Sequence, residues 1–396
     1  VTSRPSTDAD VLLVGGGLSA GLIALALKRQ RPDVRVAIVE AADRFGGNHT
    51  WSSFAGDLSA EGAAVAAPLI AHRWSGHEVR FPRYRRQLAD AYQSATSERL
   101  HAALCEAVPA DSRFLGAPVV AVSPSSVTLA DQRVLTAGAV IDARGQGPSP
   151  HLELGFQKFV GLEVELKQPH GLSGPIIMDA TVDQHDGYRF VYTLPFTPDT
   201  ALIEDTYYAD GDALDRGAVA ARVQAYAAAQ GWKIKRVIRN EDGVLPIAIA
   251  GDIARHLAQY PAGVAPVGMA AALFHPVTGY SFPDAVRLAL HVAALPELSG
   301  ATIDRAVRDF AIRTWEERGF YRLLTKMLFR AAYPDERRQV LERFYGLDAA
   351  LVGRFYAGHS SFLDKARILT GKPPIPIGRA IRGILTAPGA SKHKKG

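Results

Sequence analysis

Residues 11–21 read VLLVGGGLSAG, and this stretch decides the fold. Val11–Val14 is a short apolar run, β-branched at both ends, of the kind that forms a buried strand. Three glycines follow, and Leu18–Leu27 then carries an apolar helix pattern. A second β-rich run, Val34–Val39, ends in Glu40. Strand, glycine turn, helix and strand within about 30 residues make the opening unit of a dinucleotide-binding fold. Gly15, Gly17 and Ala20 match G-x-G-x-x-A. The first glycine makes the tight turn, the second lets the backbone approach a pyrophosphate, and the small third residue lets helix and strand pack closely. The helix N-terminus offers free N–H groups and the positive end of its dipole to an anion. Glu40 stands where a carboxylate accepts bonds from ribose hydroxyls and disfavours an added 2′-phosphate. A glycine turn that merely packs a helix on a sheet is the plainer reading, but it does not account for the acid.

Working outward, 396 residues with 47% apolar and 21% charged side chains describe a globular chain longer than one ordinary domain. Cys105 is the single cysteine, which excludes an internal disulfide and multi-cysteine metal sites, and no metal is expected. The opening VTSRPSTDAD lacks the apolar core of a signal peptide. No window reaches the roughly 18 uninterrupted apolar residues of a spanning helix, so a cytoplasmic location is expected. Residues 1–150 and 259–304 are read as a discontinuous nucleotide domain, and 151–258 as a β-rich insertion with a helix near 213–230. Residues 305–396 are read as a basic helical region ending in a frayed tail.

Further segments resemble those of FAD-binding proteins of the hydroxylase-like superfamily. Phe45-Gly46-Gly47 comes just after Glu40, where such proteins wrap their backbone around the cofactor. VIDARGQG, residues 140–147, runs a strand containing Asp142 into a glycine turn. Gly268 and His275–Tyr280, which includes Gly279, resemble the third flavin contact. The chain departs from the pattern at Met269, where that superfamily usually has Asp. Arg99 matches the arginine that points at the pyrophosphate, with a surface arginine at a helix start as the alternative. The fold class expected is α/β: a Rossmann-like FAD-binding domain, an inserted β-sheet substrate domain and a helical C-terminal region.

Longer strings resemble the bacterial lycopene β-cyclase family over nearly the whole chain. They are GNHTWS (47–52), PIIMDATVDQ (175–184), GYRFVYTLP (187–195), LIEDT (202–206), HPVTGYSFP (275–283) and the stretch 354–376. The resemblance implies acid-catalysed, non-redox closure of lycopene ψ-ends into β-ionone rings, giving γ- and then β-carotene. It also implies reduced FAD as cofactor, with NADPH as the reductant. Such a reaction needs an acid kept protonated near neutral pH, electron-rich surroundings for a cation, and walls that exclude water.

In LIEDT, period-2 geometry puts Leu202, Glu204 and Thr206 on one face and Ile203 and Asp205 on the other. The resemblance assigns catalysis to the first acid, Glu204; two carboxylates at a strand end, paired or solvated, is the bland alternative. Asp179 is a candidate to orient Glu204 or the flavin, and a turn aspartate explains it equally well. Trp51, Tyr188, Phe190, Tyr192 and Phe274 are aromatic candidates for the cation. His49 and His275 are read as structural.

Residues 305–396 hold 19 Lys and Arg against 8 Asp and Glu. Phe320, Leu323, Leu324, Met327, Leu328 and Ala331 share one helical face, with Arg318, Arg322, Lys326 and Arg330 along another. An amphipathic basic helix suits a membrane surface, where a C40 hydrocarbon would be drawn from lipid. The alternative is a helix packed on the body, and nucleic-acid binding has no supporting motif. A flavin oxidoreductase of the same fold and a non-catalytic carotenoid-binding flavoprotein are the rival function classes.

Overall fold

The computed structural model describes residues 7–145, 147, 149–371, 375–376, 378–379 and 382–383. The expected tail lies outside these residues, as do Lys372–Pro374 of the C-terminal string. The opening unit forms as its pattern predicts: strand Ala9–Val14, helix Leu18–Gln30 and strand Val36–Val39. Ala9–Val14 sits centrally between Val36–Val39 and Val134–Asp142, parallel to both. Val264–Pro266 joins this sheet parallel to Val134–Asp142. Helix Leu18–Gln30 is buried along most of its length because its surface is Ala, Gly and Leu. A Cβ on Gly21 would lie 2.5 Å from Leu100 Cδ1, so the missing side chain admits helix Ser97–Ala107.

The second sheet runs Ile234–Gly251, Leu152–Leu166, Thr200–Ala209, Tyr188–Thr197, Ile176–Asp179, His77–Phe81 and Tyr84–Leu88. Two of its strands come from residues 77–88, so the sheet is not drawn from 151–258 alone. Helix Arg216–Ala229 covers one face, packing Val219, Val223 and Tyr226 against Val160, Leu162, Val191 and Ile203. The other face looks into an aromatic cavity closed by the small sheet of Thr50–Phe54, Tyr92–Thr96 and Ile70–Trp74. The C-terminal helices complete the enclosure, with Tyr321, Phe329, Phe355 and Tyr356 in one apolar cluster with Tyr92, Phe190 and Tyr208. Each such buried side chain contributes roughly 1.5–3 kcal/mol.

Three of the four cations of the basic stripe expected along helix Gly319–Arg330 turn to the body of the protein and not to a free surface. Arg318 is buried on Asp284, Arg322 stacks on the Trp315 ring, and Arg330 pairs with Glu153 and Asp210. These cations anchor the helix to the body, because buried or half-buried guanidinium groups require acidic or aromatic partners. Among the described residues no helix is long and apolar enough to cross a membrane.

Asp284, on helix Phe282–Ala293, receives two bonds from Arg318, at 2.6 and 2.7 Å, and one from Arg287 at 2.8 Å. Burial works against its ionised form, but the guanidinium groups outweigh that and hold the carboxyl below its ordinary range. The pair's contribution is therefore full above about pH 4 and lost as pH falls through the depressed value. Asp284→Ala should cost about 3–5 kcal/mol at pH 7 by leaving Arg318 buried and unpaired. Urea denaturation checks this; a loss under about 1 kcal/mol would mean that the helices are not tied here.

Candidate active site

The glycine segments converge at the start of helix Leu18–Gln30. Gly15 has φ +95°, and a Cβ there would lie 2.9 Å from the Ala143 carbonyl oxygen, so only glycine makes this turn without strain. Gly17 caps the helix with no side-chain bond to it, and a Cβ there would meet nothing within 4 Å. The first turn carries no acid. Gly46 N–H donates to the Gly16 carbonyl at 2.9 Å, which lays Gly46-Gly47 directly on the turn. Gly268 packs against Ser19, and Ala20 is fully buried under the helix. Asp142 ends the strand beside Val14 and pairs with Arg144 at 2.6 Å.

Glu40 follows Val36–Val39 and accepts from Gly16 N–H at 2.7 Å and Ala42 N–H at 2.9 Å. It thereby braces the glycine turn. Arg99 lies exposed in the first turn of Ser97–Ala107 and reaches the Ile70 carbonyl at 3.4 Å. Gly279 belongs to the 275–280 turn, with φ +74°. His275 forms that turn's pivot, accepting from Val277 N–H and Thr278 N–H through Nδ1. Burial and the nearby Arg318 push its pKa down to about 3, so the ring is neutral and structural.

Thr278, Gly279 and Tyr280 lead into the cavity above the second sheet, whose walls include Trp51, Phe159, Phe190, Tyr192, Tyr208 and Tyr356. A hydroxyl chain fixes one wall: Tyr280 to Tyr92 at 2.6 Å, Tyr92 to Tyr192 at 2.9 Å, and Tyr192 to Ser52 at 2.7 Å. Of the aromatic candidates, Trp51, Phe190 and Tyr192 line this space. Phe274 packs in the nucleotide-side core, and Tyr188 packs at a tilt against Phe190.

Glu204 enters the cavity from the middle of its strand and is 8% exposed. It accepts from Thr206 Oγ1 at 2.5 Å and has no ion-pair partner among the described residues. Burial raises its pKa, and the neighbouring Glu241 carboxyl raises it further. Glu204 is thus a buried carboxylic acid that keeps its proton near neutral pH.

The other two acids go elsewhere. Asp205 points to the helix-covered face, fully buried between Arg189 at 2.6 Å and Arg222 at 3.2 Å. Asp179 lies on that face too, bonded by Tyr226 Oη at 2.8 Å, Thr181 and, at 3.6 Å, Arg80. The expectation that Asp179 orients Glu204 is not met, because the register places Asp179 opposite Val191, which is itself opposite Asp205. Glu241 escaped sequence reading altogether: it stands among the polar residues Arg239, Asn240 and Asp242, inside the long strand Ile234–Gly251. Gly161, inside the β-rich run FVGLEV, was the available signal, since a mid-strand glycine marks a close approach.

A family model described as "Lycopene cyclase protein" matches residues 10–382. The chain belongs to the lycopene cyclase family. It is 50% identical over 376 residues to a protein named lycopene beta-cyclase from Pseudescherichia vulneris, covering 95% of this chain and 97% of that one. A second lycopene beta-cyclase, from Pantoea ananas, is 45% identical and covers 95% and 98%. Among solved structures, a geranylgeranyl bacteriochlorophyll reductase-like protein from Thermoplasma acidophilum superposes with TM-score 0.60 at 13% identity, over 95% and 99% of the two chains. A probable FAD-dependent monooxygenase from Pseudomonas aeruginosa gives 0.55 at 18%, over 85% and 98%. The fold of this lycopene cyclase family member is therefore that of the flavoprotein monooxygenases and reductases, as expected from its glycine segments.

The two strand acids should respond oppositely to neutralisation. A raised carboxyl pKa means that the folded state binds more protons, so stability falls as pH rises from about 4.3, the usual Glu value, towards the raised one. Glu204→Gln should therefore raise the melting temperature at pH 8 and change it little at pH 4.5. Asp205→Asn should lower it at pH 8, at a cost of about 3–5 kcal/mol, because two guanidinium groups lose their counter-charge. Thermal unfolding of both variants checks this, and equal responses would contradict the assignment of faces.

Proposed function

We propose that this chain closes the ψ-ends of lycopene into β-ionone rings, giving γ- and then β-carotene, with Glu204 as the general acid. The observation that carries the reading is a carboxyl without a cation partner inside an aromatic enclosure, where it stays protonated. The relatives' shared name supports the substrate. Glu204 delivers its proton to C2 of the terminal C1=C2 bond and leaves a tertiary cation at C1. The C5=C6 electrons form the C1–C6 bond, and loss of the C6 proton restores a C5=C6 double bond. Redox state and mass are unchanged. Phe159, Phe190, Tyr192 and Tyr208 surround this chemistry with ring faces that favour a cation and with walls that exclude water.

FAD is the proposed cofactor. The open space at Gly17, the acid-free helix start and the turns at Gly15, Gly46, Gly47 and Gly268 fit a pyrophosphate cradle. Glu40 would hold the ribose, Asp142, Arg99 and Gly279 complete the proposed contacts, and Ala20 keeps the helix close. Bound in its reduced state, with NADPH as the proposed reductant, FAD would supply an electron-rich ring system to the site.

Peripheral lipid contact is proposed through the C-terminal region, relocated to helix Phe362–Leu369. Phe362 is 83% exposed and Leu363 77%, with Lys365 and Arg367 on the same short helix. Apolar side chains flanked by cations suit an anionic membrane surface.

Expression in a lycopene-accumulating bacterium should convert the pigment to β-carotene of identical mass. Glu204→Gln should retain FAD and lose cyclisation by at least about 10²–10⁴-fold, the range of general acid catalysis. Unchanged lycopene with flavin-loaded wild-type protein would sink the reading, as would a product of altered mass. Separately, Phe362→Ser with Leu363→Ser should weaken sedimentation with phosphatidylglycerol liposomes several-fold while flavin content stays intact. Undiminished binding would remove this helix from the membrane contact.

A further inference from the structure

Glu204 does not stand alone in the cavity. Gly161, in the middle strand of three, pairs with Glu204 on one side and with Glu241 on the other. The side chains of one such row project to the same face of a sheet. A Cβ on Gly161 would lie 3.0 Å from Glu241 Cγ and 3.5 Å from Glu204 Cβ. Glycine at this point leaves room for the two carboxyl groups to meet above it. Both line the cavity, and both are buried, at 8% and 2% exposure.

Their surroundings differ. Glu241 Oε2 accepts from Thr50 Oγ1 and from Arg239 Nη1, each at 2.8 Å. Glu204 has only the neutral Thr206 hydroxyl, on Oε1. One oxygen of each carboxyl is therefore engaged by fixed donors, and the other remains for the pair. The member beside a guanidinium holds negative charge more readily, and the member without a cation holds the proton. Two carboxyl groups in contact cannot both ionise without a large cost.

We infer that Glu204 and Glu241 share one proton, with Glu241 the positioning residue that keeps it on Glu204 until the alkene takes it. The reaction assigned to the pair rests on the cyclisation reading; the pair itself does not. Once Glu204 has protonated C2, two carboxylates lie side by side and form a stronger base than either alone. When the C6–H bond breaks, its electrons become the C5=C6 bond and its proton returns to the pair. The proton taken at C2 is replaced from C6, and the cycle needs no oxidant or reductant.

The charged and titratable groups facing the pair leave it as the centre that titrates from neutral to mildly alkaline pH. Arg239 stays cationic, held by Glu241 and by Glu163 at 3.0 Å, with Glu98 acting on it from helix Ser97–Ala107. Burial raises Tyr192, Tyr208 and Tyr280 above the ordinary tyrosine value, does the same for Tyr356, and lowers His49. Asp205 and Asp242 are on the helix side of the sheet, paired with Arg189 and Arg222 and with Arg216 respectively.

The test uses the FAD-loaded full chain with lycopene in liposomes. Wild-type kcat should fall as pH rises through ionisation of the pair. In Glu241→Gln that limb should move at least about one pH unit lower, because Glu204 loses the neighbour that raises its proton affinity. A Glu241 that only supports the fold would lower activity alike at every pH, and an unmoved limb would overturn the proposal. Should Glu241→Gln misfold, Gly161→Ala, which wedges a methyl between the two carboxyl groups, should shift the limb in the same direction. A readout free of activity is the double-mutant cycle of Glu204→Gln and Glu241→Gln in urea denaturation. The effects on the unfolding constant should be non-additive by about tenfold at pH 8 and nearly additive at pH 4.5. Additivity at both pH values would overturn the pair whatever the substrate. Coupling in a protein that cyclises nothing would uphold the pair and sink the cyclisation reading instead.

Discussion

Successive side chains along a strand point to opposite faces, and in the second sheet this alternation keeps two kinds of buried acid apart. On the helix-covered face, Asp205 has Arg189 and Arg222, and Asp179 has Arg80 and Tyr226. These carboxylates are neutralised where they lie, and they fasten helix Arg216–Ala229 to the sheet. On the cavity face, Glu204 is offered a hydroxyl and another carboxyl, and burial without a cation obliges it to keep its proton. A one-residue slip of Thr200–Ala209 would exchange the two acids. The acid chemistry of the cavity is thus a consequence of register, which the ten-residue pairing of this strand with Leu152–Leu166 holds in place.

The segment 274–284 transmits that arrangement to the rest of the molecule. Its turn presents Thr278, Gly279 and Tyr280 to the cavity, and its end begins the helix that packs on Leu18–Gln30 beside the glycine turn. Arg318 bonds both the Phe274 carbonyl and Asp284, so the start of the C-terminal region grips this segment at both ends. Tyr321 packs on His275, and Thr325 Oγ1 donates to the Pro276 carbonyl at 2.9 Å. Arg318, Arg322 and Arg330 are therefore used inward, as struts. The outward apolar surface falls three helices later, at Phe362 and Leu363.

What the sequence disclosed follows from how local each signal is. The unit from Ala9 to Val39 was legible because strand, turn and helix each carry their own pattern within a few residues. The opposite orientation of Glu204 and Asp205 was legible because alternation is a property of one strand. Partners across strands were not. Asp179, which stands in a different string of the resemblance from Glu204, was a candidate to orient it, and only the pairing of Ile176–Asp179 with Tyr188–Thr197 shows that it belongs to the other face. Glu241 lies 37 residues beyond Glu204 and meets it through a third strand. Its environment exists only after the sheet has assembled. Arg318 and Arg322 misled for the related reason that a helical wheel shows which residues share a side, and not what covers that side.

The two neighbours in fold are named as a reductase-like protein and a probable monooxygenase, and at 13% and 18% identity they share only the scaffold with this chain. On that scaffold the cavity of this chain holds an acid whose burial destabilises the protein at neutral pH. A carrier for an apolar pigment gains nothing from it, since an apolar side chain at position 204 would pack better and cost less. A flavin oxidoreductase could use an acid to protonate a reduced product, but it would not need a second carboxyl across a glycine to hold the proton in place. The requirement is sharpest for an alkene, which offers no lone pair to accept a proton early. The donor must then wait fully protonated, and the enclosure must afterwards hold a cation without water. Glu204, Glu241 and the surrounding rings meet both conditions with groups that the fold places before any substrate arrives.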